Sequence, residues 1–300
     1  MRGCDGFTGT LNSIHARFTA APDVHAHIYV ERMTTPKADA PLFVQLELTP
    51  EQQRRIREQT GYVVDAIPIL TRAESVRCRF GGLEFRVPRG VFVPTGSSER
   101  TFEMARDAAA DVAARESKPV VVDVGAGAGA IALAIAHAIP RALVFGTELS
   151  APALRAARLN RARLRIRNAR FASGSLLSPL PRRLRGSVGV IVANVPYLPP
   201  ERRAEASRAF PEGTAMGTES DGLGLVRELL RNARTFLRRG GSLIVQVADF
   251  QWPALVIEAA TLGYTAPTTS RSVEAGPVAC RLRWPEPESD DALSLTTIHG

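Results

Sequence analysis

Cysteine, lysine and long apolar runs are all scarce in this chain, and each scarcity excludes something. Three cysteines occur, Cys4, Cys78 and Cys280, widely separated and without a CxxC pair. An odd, scattered set excludes a disulfide framework and a cysteine-built zinc site, and points to a reducing compartment. His15, His25 and His27 have no carboxylate or cysteine cluster around them, so they read as solvated side chains and no metal ligand set is expected. No apolar run reaches the length of a membrane span, and the N-terminus has no apolar segment behind a basic start. A soluble cytoplasmic protein without a membrane partner is expected. Of the 38 basic residues only Lys37 and Lys118 are lysine. The formal charge of +8 is therefore arginine charge, read from composition as spread along the chain, which makes nucleic acid a possible but weakly indicated partner.

What is present suffices for one large or two unequal domains, since 300 residues with 45% hydrophobic content can bury a sizeable core. Residues 1–45 mix Gly, Thr, Pro, Ala and His without periodicity and are expected to form a poorly ordered tail, with Met33 an alternative start. Residues 46–96 read as a small N-terminal region. "LTPEQQRRIREQTG" predicts a short helix capped at Thr49, with Pro50 first and Gly61 past its end. "SVRCRFGGLEFRVPRG" then alternates Val76, Cys78 and Phe80, turns at Gly81 and Gly82, and alternates back through Leu83, Phe85 and Val87, the pattern of a β-hairpin.

Residues 97–285 form the main domain, and 286–300 a Pro-rich and acidic tail. An Ala-rich helix from Ser97 to Lys118 precedes strands at 120–124, 142–147, 170–172, 188–193 and 242–247, with helices at 130–139, 151–163 and 223–237 between them. Strand–helix alternation of this kind predicts a doubly wound, mostly parallel sheet, because parallel neighbours need crossover connections. A terminal pair at 264–270 and 278–283 predicts an antiparallel hairpin.

Two stretches carry the chemistry. "VVDVGAGAGAIALAIA" ends a buried strand at Asp123 and places Gly125, Gly127 and Gly129 at a turn into a helix, where bare backbone and unpaired N–H groups can approach a ligand. Glu148 ends the next strand, where a ribose-binding acid belongs. A nicotinamide cofactor and S-adenosylmethionine (SAM) both satisfy this pattern. "VANVPYLPP" follows the fourth strand, on the carboxyl edge shared with the glycine loop, so the two are expected to face one cleft. An amide nitrogen is a weak nucleophile. The side-chain carbonyl of Asn194 and the backbone carbonyl of Val195 can each accept one of its N–H groups and aim its lone pair at an activated methyl. Pro196 biases Val195 toward extended backbone and brings no competing N–H. Tyr197 offers a flat face with a hydroxyl at its rim.

With these residues in place, residues 76–283 resemble the HemK/PrmC family of protein glutamine N5-methyltransferases, in a divergent branch with N-x-PY for the usual NPPY. "GVFVPTGSSE", "VVDVGAGAGA", "GTELSAPALRAARLN", "VANVPYLPP" and "AMGTESDGLGLVREL" carry the likeness in order. The resemblance implies a class I SAM-dependent methyltransferase fold with a seven-stranded sheet and an antiparallel C-terminal hairpin. It implies SAM as cofactor, contacted by Asp123, Gly125, Ala126, Gly127, Gly129, Glu148, Leu149, Ser175, Leu176 and Asn194. Catalysis falls to Asn194, Val195, Pro196 and Tyr197, and acceptor binding to Phe92, Pro94, Ser98, Glu99 and Tyr197. The implied acceptor is a glutamine side chain of a protein or peptide, or a related small metabolite. The chain departs from the family in three places. Pro94 to Glu99 reads PTGSSE for PRPETE, Ser175 stands where an adenine-side Asp is usual, and Val195 replaces a proline. Methylation of an exocyclic amine in RNA or DNA, and non-catalytic SAM binding in a partner protein, are the alternative readings.

Overall fold

The computed structural model describes residues 75–204, 206, 210–270 and 277–286, together with the backbone of three short strands before them, β1 (His15–Arg17), β2 (Ile28–Val30) and β3 (Gln45–Glu47). The helix expected at 49–61 lies outside the described residues. β1 pairs with β3, within and just past the segment expected as a tail, and β2 pairs antiparallel with β4 (Ser75–Phe80).

β4 and β5 (Leu83–Pro88) form the expected hairpin, with Phe80 opposite Leu83. Its two-residue turn needs φ > 0 twice, and Gly81 and Gly82 supply +52° and +78° at no Cβ cost. The alternation buries Val76, Cys78, Phe80, Phe85 and Val87 on one face. Phe80 lies against Phe85 and against Phe102 of α1 (Gly96–Arg115), which docks the hairpin on the main domain. The Cys78 thiol is free, and burial pushes its pKa up to about 12, so it packs as a small hydrophobe.

The main domain runs β6 (Val120–Val124), α2 (Ala130–Ala138), β7 (Leu143–Glu148), α3 (Ala151–Arg163), β8 (Ala169–Ser173), β9 (Val188–Ala193), α4 (Gly224–Phe236), β10 (Leu237–Ala248), α5 (Trp252–Thr261), β11 (Thr265–Ser270) and β12 (Pro277–Arg283). The sheet order is β11-β12-β10-β9-β6-β7-β8, parallel from β10 to β8. This is the seven-stranded class I methyltransferase arrangement. β12 is antiparallel to both its neighbours and lies between β10 and β11. Burial explains that insertion. β12 buries Val278, Ala279, Cys280 and Leu282, whereas β11 is exposed at Thr265–Thr268 and holds Pro267, which an edge tolerates and a centre does not.

Helices cover both faces, which is why β9 reads as an unbroken apolar run and β6 departs from one only at Asp123. α1, α2 and α3 close one face around Leu133, Ile135, Val144 and Val190. α4, α5 and the 176–184 connection close the other around Val124, Ile191, Leu229, Leu230 and Val245. No described helix is long and apolar enough to cross a membrane.

Candidate active site

The sheet order reverses between β6 and β9, and in open α/β sheets a crevice forms at that point outside the carboxyl ends of the strands. The register Val124↔Ala193 puts Gly125 directly beside Asn194. Val195 closes the junction: its side chain is buried, and a Cβ at Gly125 would stand 3.2 Å from its Cγ1. The glycine turn and the N-x-PY segment, some seventy residues apart in sequence, therefore border one cleft.

The donor side is built from backbone held by two acids. Gly125 and Ala126 donate to the carbonyl of Thr147 at 2.9 and 3.0 Å, which folds the loop over the end of β7. Gly125, Gly127 and Gly129 have φ of +70°, +57° and +85°, and Gly125 is exposed. Glu148 accepts from the N–H of Gly127 with Oε2 and of Ser150 with Oε1, both at 2.7 Å, so its carboxylate spans the loop and the start of α3. Leu149 beside it is 72% exposed, an apolar side chain offered to the cleft rim. Ser175 is exposed, and Leu176, at φ +44°, is buried.

Asp123 sits beneath the loop. Its Oδ2 accepts from Ala132 N–H at 2.9 Å, which satisfies a donor of the first turn of α2 where the glycine at its start offers no side chain. Desolvation raises the Asp123 pKa to about 7, opposed by the Ala132 bond and reinforced by Glu148.

The acceptor side is anchored to the first turn of α1. Asn194 Nδ2 donates to Ser98 Oγ at 3.3 Å, which turns its carbonyl oxygen away from Ser98. Ser98 also accepts from Thr95 N–H at 3.2 Å. Tyr197 is tied at three points: its N–H donates to Ala215 O, its carbonyl accepts from Gln251 Nε2 at 2.6 Å, and its hydroxyl accepts from Gln246 Nε2 at 3.0 Å. Phe92 stacks on Phe210 at 5.8 Å, which ties the loop after β5 to the segment beyond the N-x-PY motif. Pro94 is half-buried in the loop between β5 and α1. Glu99 faces elsewhere. Its Oε1 accepts from Gly81 N–H at 3.3 Å at the hairpin turn, and burial raises its pKa.

Four supporting residues escape a motif-based reading. Gln246, buried on β10, links Tyr197 and Ser97 Oγ to Thr101, whose hydroxyl donates to its Oε1 at 2.8 Å. A lone amide inside "SLIVQVA" was its only sequence signal, since an unpartnered one would be costly there. Gln251 donates to Tyr197 O and Asp221 O, joining the N-x-PY segment to the 217–222 loop. Arg227 binds Asp221 at 2.6 Å, Glu258 at 2.8 Å and Glu219, and so fixes that loop on α4 and α5. The guanidinium holds the Asp221 carboxyl below the usual carboxylate range. Asn160, buried on α3, bonds Arg86 on β5 and the carbonyl of Ala128 in the glycine loop.

With this geometry in hand, comparison with known proteins is informative. The family described as methyltransferase domain matches residues 115–271. The release factor glutamine methyltransferase of Deinococcus radiodurans is 32% identical over 264 residues, covering 85% of this chain and 91% of its own. That of Streptomyces coelicolor is 39% identical over 180 residues, covering 58% and 61%. The 4-amino-L-phenylalanine/4-methylamino-L-phenylalanine methyltransferase of Streptomyces pristinaespiralis is 36% identical over 178 residues, covering 57% and 59%. The chain thus spans about three-fifths of the length of the latter two relatives. The domain match runs over half the chain and the Deinococcus relative is covered almost end to end, so this chain belongs to the methyltransferase-domain family that includes the release factor glutamine methyltransferases.

Proposed function

We propose that this chain is a SAM-dependent N-methyltransferase acting on the side-chain amide of a glutamine in a protein or peptide. The observation that carries the reading is the β6–β9 register, which ends with Val124 opposite Ala193 and brings the N-x-PY backbone, at Val195, against the exposed Gly125. The donor residues fit a sulfonium nucleoside. Glu148 can take ribose hydroxyls, the glycine turn leaves room for close approach, and Leu149 offers an apolar flank. A dinucleotide fits less well, because Glu148 already places a carboxylate on Gly127 N–H, where a diphosphate would meet like charge.

Bound SAM supplies an electrophilic methyl carbon. The chain's own residues hold the nucleophile for it. Asn194 Oδ1 and the Val195 carbonyl accept the two N–H groups of the acceptor amide, which fixes the nitrogen and favours the positive charge that develops as its lone pair engages. Ser98 holds the Asn194 amide in the required orientation. Tyr197 and the Phe92–Phe210 pair border the acceptor, and the region before residue 97 presents it. Asp123, Ser175 and Leu176 complete the donor side, Asp123 through the loop it caps.

Calorimetric titration with SAM and with NADH tests the donor: SAM binds and NADH does not, and binding of NADH alone would end the proposal. Labelled SAM incubated with a cell lysate tests the acceptor, with label expected in protein. The Streptomyces pristinaespiralis relative supports a second reading, in which the acceptor is a small-molecule amine and the label appears among metabolites.

A further inference from the structure

The positive charge of this chain is concentrated, not spread. Between Glu148 and Glu201 there are 52 residues without a single Asp or Glu, holding ten arginines and no lysine. Set against +8 for the whole chain, that leaves the remainder at −2, so the entire excess belongs to one stretch.

The fold gathers much of it at one edge of the sheet. α3, the 164–168 connection and β8 lie together at one end of the sheet, where β8 is the last strand. Arg155, Arg158 and Arg167 are exposed there, and Arg170, in register with Phe145, is exposed at the same edge but projects from the face of the sheet opposite α3. Arg158 Nη2 donates to the carbonyl of Phe171 at 3.2 Å, which ties the helix to the edge strand. Among the described residues of this stretch, only Arg163 has a carboxylate in reach, Glu84 at 3.6 Å. A helix face that is merely solvated commonly mixes signs, whereas this one accumulates self-repulsion.

The composition of the face selects its partner. Guanidinium forks match phosphate oxygens in pairs. A membrane surface calls for apolar anchors, and α3 exposes a single large one, Leu159. Single strands call for exposed rings to stack on, and the only ring of the face, Phe171, is half-buried. The 13 residues of α3 span about 20 Å, the axial rise of about six base pairs.

We infer that the α3–β8 edge is a docking surface for the phosphate backbone of a nucleic-acid duplex, separate from the cleft at Asn194. The inference does not depend on the proposed methyl transfer. The test is fluorescence anisotropy of the intact protein with fluorescein-labelled RNA and DNA duplexes of about 18 base pairs between 50 and 200 mM KCl, roughly the range over which phosphate contacts reveal themselves. Saturable binding is expected, with log Kd rising against log salt at a slope of about 3 to 4 for four phosphate contacts. The variant Arg155→Gln/Arg158→Gln/Arg167→Gln/Arg170→Gln weakens binding at least about tenfold and flattens the slope. Arg115→Gln/Arg231→Gln, exposed elsewhere, changes it less than about twofold. An unchanged thermal melt of the quadruple variant verifies its fold, and if it melts early, Arg155→Gln/Arg170→Gln carries the same comparison. Absence of saturable binding at low salt, equal weakening by the distant pair, or preference for phosphatidylserine vesicles over both duplexes would overturn the inference.

Discussion

The carboxamide of Asn160 mimics a strand partner for Arg86: its Oδ1 accepts from the Arg86 N–H and its Nδ2 donates to the Arg86 carbonyl, both at 2.9 Å. The second proton of the same Nδ2 goes to Ala128 O at 3.0 Å. One buried side chain thereby fastens the N-terminal hairpin to the glycine loop. Asn160→Leu leaves three backbone groups without their partner. A loss of about 1–3 kcal/mol of stability is expected in urea melts. Calorimetry should show SAM affinity falling as well, because the loop loses its brace. A variant with unaltered SAM affinity would separate hairpin from loop.

Asn194→Ala removes the acceptor-holding carbonyl while leaving the glycine loop intact. Methyl transfer should fall by about 10²-fold or more, a loss comparable to that of one oriented donor in other sites where charge develops. SAM binding should stay within about threefold. Retained turnover would remove Asn194 from the chemistry, and lost SAM binding would make it a donor contact.

Gln246 acts on Tyr197 from beneath. Gln246→Leu keeps the volume and removes the bonds to the Tyr197 hydroxyl and Ser97 Oγ. Transfer to the acceptor should slow with the KM for SAM unchanged. A double-mutant cycle with Tyr197→Phe gives the decisive reading: the two losses should be less than additive, since both variants remove the Gln246–Tyr197 hydroxyl bond and only Gln246→Leu also loses Ser97 and Thr101. Additive losses would mean that Gln246 supports the sheet and not the tyrosine.

Asp123 makes stability depend on pH. Its folded pKa of about 7 lies above the ordinary 3.8, so the folded state holds the proton more tightly than the unfolded state. Its favourable contribution is full below pH 3.8 and is lost as pH rises toward 7. Asp123→Asn still offers an oxygen to Ala132 N–H and carries no charge. It should raise stability at pH 8 by between about 1 and 4 kcal/mol and flatten the decline between pH 4 and 7, as read by thermal melts across pH. An unchanged pH profile would place the ionisation elsewhere.

Local rules were enough for much of this protein. The alternation around Gly81–Gly82 determined the hairpin and its two-residue turn, and unbroken apolar runs such as VGVIVA determined strands that must be covered on both faces. The glycine turn, Glu148 and the N-x-PY segment were legible because backbone access, charge and proline geometry are properties of short windows. Even the arginine run from Arg155 to Arg170 was legible in the sequence, though a string of residues does not say which of them the fold leaves exposed.

Tertiary structure decided what depends on pairing. The ten-residue helix α5 stands outside the helices expected from the sequence, and nothing local says that β12 slots between β10 and β11. Glu99, expected at the acceptor, bonds Gly81 because the hairpin folds back onto α1. The roles of Asn160 and Gln246 arise from partners 74 and 49 residues away. A polar residue in an apolar run signals that some partner exists, since burial without one costs too much, but only the register of the assembled sheet selects which.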